Sequence, residues 1–184
     1  MFKKFSREEG FSSLNQVKSS VARGVRAKIA EQYPYLEENG ILDELIPKKT
    51  PILLAKCPGH MGMVVVENEP LFFNNRDGLY FPTLRLLHKY PLMMARLRVD
   101  RGAIKFVLSG ANIMCPGLTS PGATIHDDVD KDAQVAIYAE GKEHAVAIGV
   151  TTMSTEEIRT VNKGIGVELM HCLNDGLWKV TSIE

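Results

Sequence analysis

The sequence predicts an α+β protein: an N-terminal α+β domain followed by a small β-barrel with flanking helices. Three observations predict this fold. Apolar residues recur at helical spacing in one long early stretch, short β-type runs alternate with turn sequences in both halves, and packing signals restart just after Pro91. We therefore expect two domains, covering residues 1–91 and 92–184. The composition, 45% hydrophobic and 24% charged, is that of a globular protein.

The first half begins with a predicted helix over residues 12–32, which Pro34 ends because proline disfavours helical geometry in the residue before it. Apolar residues recur every three or four positions in this helix and are expected to form one buried stripe, which comprises Leu14, Val17, Val21, Val25 and Ile29. Arg23 and Arg26 fall on the opposite face, which is either a solvated surface or a contact for RNA or a partner. A second helix is expected over 37–46. Strands follow at 52–56, 63–67 and 71–73, then a turn at 74–78 and a helix at 83–90.

The second half opens with Asp100 as the N-cap of a helix that ends near Gly110, where a left-handed residue is favoured. A short strand is expected at 112–115, and two strands at 134–139 and 144–150 form a hairpin. Ser154 and Glu157 have the spacing of a capping box, which begins a helix ending at Lys163. We interpret residues 164–166 as a helix terminator and turn, and 177–183 as the last strand.

Composition and charge limit the function classes. The 22 basic residues balance the 22 acidic ones, so any phosphate binding depends on a local patch, for which Arg98, Arg101 and Lys105 are the candidates.

No apolar run approaches the ~20 residues of a membrane span. The N-terminal residues lack the apolar region of a secretory signal. Three widely spaced cysteines do not suggest a disulfide framework, and we expect a cytoplasmic protein.

Motifs of catalysis and metal binding are largely absent from the sequence, which contains no phosphate-binding loop, zinc-protease helix or nucleophile elbow. Cys57 and His60 together with His171 and Cys172 are one conceivable zinc set. Neighbouring residues of a strand point to opposite faces, however, so buried structural cysteines are the favoured interpretation. We predict no catalytic residues, no metal and no cofactor.

The most informative stretch is RGAIKFVLSGANIMCPGL, residues 101–118. Small residues at its helix-to-strand junction allow another backbone, or an unstacked nucleotide, to approach without a side-chain clash. The glycines can equally serve turn geometry, and spacing alone favours that alternative. The predicted contact surface comprises Gly110, Ala111, Asn112, Met114, Pro116 and Gly117.

Within this stretch, GANIMCPGL resembles the helix-to-strand signature of PUA domains, an RNA-binding fold. Longer blocks, PTLRLLHKYP at 82–91, VNKGIG at 161–166 and LNDGLW at 173–178, are similar to the malignant T-cell-amplified sequence 1 family. The resemblance implies a C-terminal PUA domain and a non-catalytic translation factor. Such factors pair with the density-regulated protein, bind the small ribosomal subunit, remove deacylated tRNA after termination and support re-initiation. The PUA domain is expected to face the tRNA acceptor end.

The partner of this chain would accordingly be a density-regulated-protein homologue, and the chain alone would be monomeric. We expect the partner on the N-terminal domain, with exposed Phe2, Phe5 and Phe11 as aromatic anchors, although these rings could instead pack on the core. Two other functions are open at this stage. The chain could be a targeting module for an RNA-modifying enzyme, or a protein-interaction adaptor without RNA contact.

Overall fold

The computed structural model describes residues 1–76 and 78–184, so that Asp77, in the turn expected at 74–78, lies outside the described residues. The fold is α+β, as the sequence predicts. Its helices are α1 Arg7–Gly10, α2 Ser19–Gln32, α3 Pro34–Glu38, α4 Ile41–Leu45, α5 Leu84–Lys89, α6 Ile104–Leu108, α7 Pro116–Thr119, α8 Thr155–Val161 and α9 Gly176–Lys179. Its strands are β1 Ser13–Gln16, β2 Ile52–Cys57, β3 Met61–Val66, β4 Glu69–Asn75, β5 Phe81–Pro82, β6 Ala95–Val99, β7 Ile113–Met114, β8 Thr124–Ile125, β9 Gln134–Ala139, β10 Ala147–Thr151 and β11 Ile165–Cys172.

The first half forms a five-stranded antiparallel sheet in the order β1-β2-β3-β4-β5. The predicted helix over 12–32 is wrong at its start, because residues 13–16 pair with β2 as an edge strand. Leu14 of this strand is exposed, as is Val21 of α2, and only Val25 and Ile29 of the predicted stripe lie fully in the core. A strand of four residues can place apolar side chains at the same spacing as one helical turn, so periodicity alone could not separate the two.

The predicted helix at 37–46 is divided in two by Gly40, which has a positive φ of 69°. The second piece, α4, is held by Arg26. Its guanidinium donates to the backbone oxygens of Leu42 at 3.2 Å and Ile46 at 2.7 Å, and to the carboxylate of Asp43 at 2.6 Å. Arg26 therefore caps the C-terminal end of α4, and its guanidinium is not free to bind a partner or RNA.

The second half forms a curled six-stranded sheet in the order β7-β11-β10-β9-β6-β8. All neighbours are antiparallel except β6 and β9. The hairpin of β9 and β10 confirms the sequence-based prediction, whereas β6 lies just after the expected domain boundary, where no strand was predicted. The turn predicted at 164–166 is confirmed only at Gly164, which has a φ of 80°, and the strand predicted at 177–183 is wrong. Ile165 begins the long strand β11, and residues 176–179 form the helical turn α9.

Helix α7 lies between the strands at the two edges of this curled sheet, since it connects β7 to β8 and packs on β6. The backbone N–H of Asp100 donates to the carbonyl of Gly117 at 3.1 Å, which ties α7 to the end of β6. The inner face of the half-barrel is a core of buried residues, among them Leu97, Val135 and Val167. The sheet thereby closes around its own apolar side chains.

A larger core lies under the first sheet and continues beneath the second. Phe2 belongs to this core: it is 1% exposed and packs edge-on against Phe73 of β4, at 4.9 Å between ring centres, and against His171 of β11, at 5.8 Å. The expectation that Phe2 is an exposed partner anchor is therefore wrong. Phe5 and Phe11 are half-buried against the same core, with their own rings 5.4 Å apart.

The buried ring of His171 is held by Asp175, whose side chain is also buried. His171 Nδ1 lies 2.6 Å from one carboxylate oxygen of Asp175, and that oxygen also accepts from the backbone N–H of Cys172 at 3.0 Å. The other oxygen accepts from the N–H of Trp178 and caps α9. Burial acts to raise the pKa of Asp175, but these hydrogen bonds outweigh it and hold the pKa below its ordinary value.

No helix within residues 1–76 and 78–184 has both the length and the apolarity that a membrane crossing requires.

Replacing Asp175 by Asn should lower the free energy of unfolding by about 3 kcal/mol, because the buried His171 would lose its charged acceptor. The matched control is Asp43→Asn, which removes a carboxylate that is 63% exposed and should cost less than about 1 kcal/mol. Denaturant unfolding of both variants measures the two effects. Similar losses in the two variants would contradict the importance given to the buried pair.

The difference between the wild-type protein and Asp175→Asn should also depend on pH. Because the folded-state pKa of Asp175 is lowered, its carboxylate contributes fully above the unfolded-state pKa of about 3.9. That contribution is lost as the pH falls through the folded-state pKa. Unfolding free energies measured between pH 7 and pH 2 should therefore converge in acid, and a constant difference would contradict this account.

Candidate nucleic-acid interface

The junction after α6 has the geometry of a Schellman motif. The N–H of Gly110 donates to the carbonyl of Val107 at 2.9 Å, and the N–H of Ala111 donates to the carbonyl of Phe106 at 3.0 Å. This pair of bonds requires a left-handed residue after the helix, and Gly110 has a φ of 84°. The turn geometry of Gly110 follows the sequence-based prediction, and it leaves Ala111 exposed on the surface.

Strand β7 follows the junction and forms one edge of the curled sheet. Met114 lies opposite Ile165 of β11, and Ile113 lies opposite Val167. Because side chains alternate along a strand, Ile113 is buried while Met114 is 49% exposed. The edge therefore presents the apolar side chains of Met114 and Ile165, which is 41% exposed, beside the Gly110–Ala111 turn.

Asn112 and Gly117, both predicted to contact a ligand, also have contacts within the fold. The side-chain oxygen of Asn112 accepts from the backbone N–H of Leu169 at 3.0 Å and so extends the pairing between β7 and β11. Gly117 lies in α7, where a methyl group would approach Ala103 at 3.5 Å. Pro116 begins α7 and is exposed. The surface available to a ligand is thus centred on Gly110, Ala111 and Met114.

The three predicted phosphate-binding cations are not grouped together. Arg98 lies on β6, which three strands separate from β7 in the sheet, and its guanidinium donates to the hydroxyl of Thr124 at 3.0 Å. Arg101 is exposed near the β9–β10 hairpin, and its backbone N–H donates to the carboxylate of Glu140 at 3.0 Å. Lys105 is on α6 itself, with its ammonium 5.0 Å from the centre of the Phe106 ring. Of the three, only Lys105 belongs to the helix that forms the candidate surface.

Several large apolar side chains near this edge were missed in the sequence. Phe106 is 57% exposed on α6, and it belongs to none of the residue sets predicted from the sequence. Leu108 falls within the helix predicted to begin at Asp100, yet it is 38% exposed. The others are Val161 and Ile165. No sequence signal marked Phe106 and Leu108, because the sequence predicts a longer helix. The observed α6 has five residues, buries one narrow face, here Val107, and leaves the rest in solvent.

The remaining candidates lie on the first half. Arg23 is exposed and lines a groove between α2 and the segment 46–52, together with the exposed Lys48 and Lys49. This groove adjoins the exposed edge strand β1. Arg23 is therefore accessible to a partner, whereas the guanidinium of Arg26 is hydrogen-bonded to α4.

The three cysteines, Cys57, Cys115 and Cys172, are free and buried. Burial raises the pKa of each thiol, that of Cys57 to about 11, so the thiol form persists at neutral pH. Within the described part of the chain, no group of three or more His, Cys, Asp or Glu side chains is arranged to hold a metal ion.

Comparison with known proteins gives this geometry a context. A model of the Pre-PUA-like domain matches residues 5–91, and a model of the PUA domain matches residues 95–173. The malignant T-cell-amplified sequence 1 homolog of Drosophila melanogaster is 55% identical over 185 residues, and that of Dictyostelium discoideum is 52% identical over 184 residues. Both alignments cover 100% of each chain.

The chain belongs to the malignant T-cell-amplified sequence 1 family. Human malignant T-cell-amplified sequence 2 is similarly close, at 52% identity over the full length of both chains. The PUA domain of this family supports an RNA-binding role for the chain, and proteins of this family are generally non-catalytic.

Solved structures agree on the fold. A hypothetical protein of Pyrococcus horikoshii superposes with a TM-score of 0.70 at 22% identity, covering 92% of this chain and 100% of its own. A PUA domain protein of Thermoplasma acidophilum gives a TM-score of 0.63 at 17% identity, covering 91% and 98% of the two chains. At these identities the similarity shows the shared fold alone.

The Schellman turn at Gly110 predicts a specific response to added side chains. Gly110→Ala should lower the free energy of unfolding by about 1 kcal/mol, because a Cβ is disfavoured at positive φ. The matched control is Gly24→Ala in the exposed middle of α2, where a methyl group meets nothing within 4 Å. That substitution should raise the stability by about 0.5 to 1 kcal/mol.

Thermal or denaturant unfolding of the two glycine variants provides the measurement. A Gly110→Ala variant as stable as Gly24→Ala would show that the turn does not need its left-handed residue.

Proposed function

We propose that the chain is a non-catalytic translation factor that binds the small ribosomal subunit and the acceptor end of tRNA. With a density-regulated-protein homologue it promotes removal of deacylated tRNA and re-initiation. The observation that carries the proposal is the exposed Gly110–Ala111 turn beside the apolar edge residue Met114, within a domain that matches the PUA model. A cytoplasmic location accords with this role.

The chemistry of this edge suits a single-stranded RNA end. Unpaired bases have apolar faces that pack on flat surfaces, and the small residues Gly110 and Ala111 keep the backbone accessible beside Met114 and Ile165. Lys105 supplies a positive charge on the adjoining helix. A paired RNA helix presents no splayed base to such a surface, so a terminal unpaired segment is the favoured ligand.

The function as a whole is tested by sedimentation of the chain with purified small subunits, with and without the partner, at low and high salt. Ribosome binding without any RNA modification supports the proposal. Absence of binding both with and without the partner would support a protein-interaction adaptor instead.

Adding bulk at Ala111 should block the RNA site while leaving the fold intact, since this side chain is exposed. We expect Ala111→Trp to weaken the binding of tRNA at least about tenfold, through steric exclusion of the terminal nucleotides. The matched control is Ser20→Trp, which adds the same ring at an exposed position of α2. Wild-type tRNA binding by a folded Ala111→Trp protein would refute the assignment.

The partner docks, in this proposal, on the first half of the chain, at the groove lined by Arg23, Lys48 and Lys49. Arg23→Glu should weaken binding of the purified density-regulated-protein homologue about fivefold, mainly through slower association, because it reverses a charge at the rim of the groove. Lys142→Glu, an exposed charge reversal on the β9–β10 hairpin, is the control. Surface plasmon resonance measures both. An equal effect of the two substitutions would contradict the placement.

A further inference from the structure

Lys3 lies directly against the candidate RNA surface, although 107 positions of sequence separate it from Gly110. A methyl group at Gly110 would stand 3.0 Å from Cε of Lys3 and 3.8 Å from its Nζ. The Lys3 side chain therefore runs across the turn that ends α6. Lys3 is exposed, and no ion pair involves it among residues 1–76 and 78–184. Its ammonium is available to a ligand.

The backbone on both sides of Lys3 is fixed by burial. Phe2 lies in the core between Phe73 and His171, and its carbonyl accepts from the N–H of Gly176 at 2.9 Å and from that of Phe5 at 3.2 Å. A methyl group at Gly176 would overlap the carbonyl oxygens of Phe2 and Phe5. Only glycine allows this approach, so the segment around Lys3 is held close to α9. A cation on a fixed backbone loses less conformational freedom when it binds.

Lys3 also lies near the end of β11. Burial raises the pKa of the Cys172 thiol, and the positive charge of Lys3 acts against that rise. Because Met114 pairs with Ile165 at the beginning of β11 and Cys172 is at its end, Lys3 stands at the opposite end of the strand from Met114. Because β7 is antiparallel to β11, the Gly110–Ala111 turn that precedes β7 lies towards the end of β11 that carries Cys172, where Lys3 also lies.

A compact ammonium with three donors suits a phosphate group, which it contacts as a point charge. A single-stranded RNA that packs its bases on the Gly110–Ala111 turn carries a phosphate for each nucleotide along this edge. The chain has no net charge, so its RNA binding depends on individual cations beside the bound strand. We propose that Lys3 binds a backbone phosphate of the single-stranded acceptor end of tRNA that packs on Gly110 and Ala111. This inference rests on the proposed function above.

The neighbouring Lys4 provides a matched control. It is exposed as well, but it lines a different cleft, with Glu9 and Pro58. Lys3→Met and Lys4→Met remove the same charge from adjacent positions, so a general electrostatic effect would weaken RNA binding equally in both. Both side chains are exposed, and neither substitution is expected to change the melting temperature.

The experiment measures binding of the full-length variants to a complete tRNA and to the same tRNA lacking its unpaired 3′-terminal nucleotides. Lys3→Met should weaken binding of the complete tRNA about five- to tenfold and leave binding of the shortened tRNA unchanged. It should also reduce the slope of log K against log salt concentration by ~0.7, as expected for one lost contact to a single strand. Lys4→Met should behave like the wild type.

Equal binding by the Lys3→Met and Lys4→Met variants would overturn the inference, and so would an equal loss with both forms of tRNA. Ala111→Trp, measured in parallel, separates this inference from the proposed function. If Ala111→Trp loses tRNA and Lys3→Met does not, only the role of Lys3 is refuted. If neither variant loses tRNA, the acceptor-end site itself is refuted as well.

Discussion

Burial of Phe2 between the two halves of the chain is the interaction on which the rest of the structure depends. Its ring fills a core to which both sheets contribute, and burial of an aromatic side chain of this size contributes about 2 to 3 kcal/mol. Two residues of α5 join the halves elsewhere. The guanidinium of Arg85 donates to the carbonyl of Trp178 at 2.8 Å and stacks 4.1 Å from its indole, while His88 Nε2 lies 2.8 Å from the carbonyl of Ala145. The halves therefore share the larger of the two cores.

This shared interior has a consequence for the candidate site. Phe2 fixes the start of the chain in the core and leaves Lys3 exposed beside Gly110, while the curled sheet leaves β7 at one edge. The Gly110 turn, the exposed Met114 and the Lys3 ammonium are thus supported by buried elements on either side. A surface fixed in this way can discriminate among RNA ends by shape, which suits a chain whose charges balance overall. The RNA-binding role supported by the PUA domain and the geometry of this edge are consistent with each other.

The sequence predicted those features that depend on neighbouring residues. Asp100 and Ser154 cap helices as expected, and Gly110 is left-handed, because capping and turn chemistry act over three or four positions. Features that depend on distant contacts were not predicted. Residues 13–16 form a strand and not a helix because they pair with β2. Strand β11 was not predicted because it is largely covered on both faces, so its sequence lacks the alternation of apolar and polar residues by which a strand is recognised. The burial of Phe2 and the position of Lys3 have the same origin, since both depend on contacts with residues more than 70 positions away.

The central claim is that a single-stranded RNA end binds at the β7 edge of the PUA domain. Amide hydrogen exchange of the full-length chain, measured with and without saturating tRNA, tests it most directly because it locates protected backbone without substitutions. The account predicts slower exchange on tRNA binding within residues 106–115 and at the amides flanking Lys3, with no change in the groove between α2 and residues 46–52. Protection confined to that groove, or absent from residues 106–115 while tRNA is bound, would contradict it.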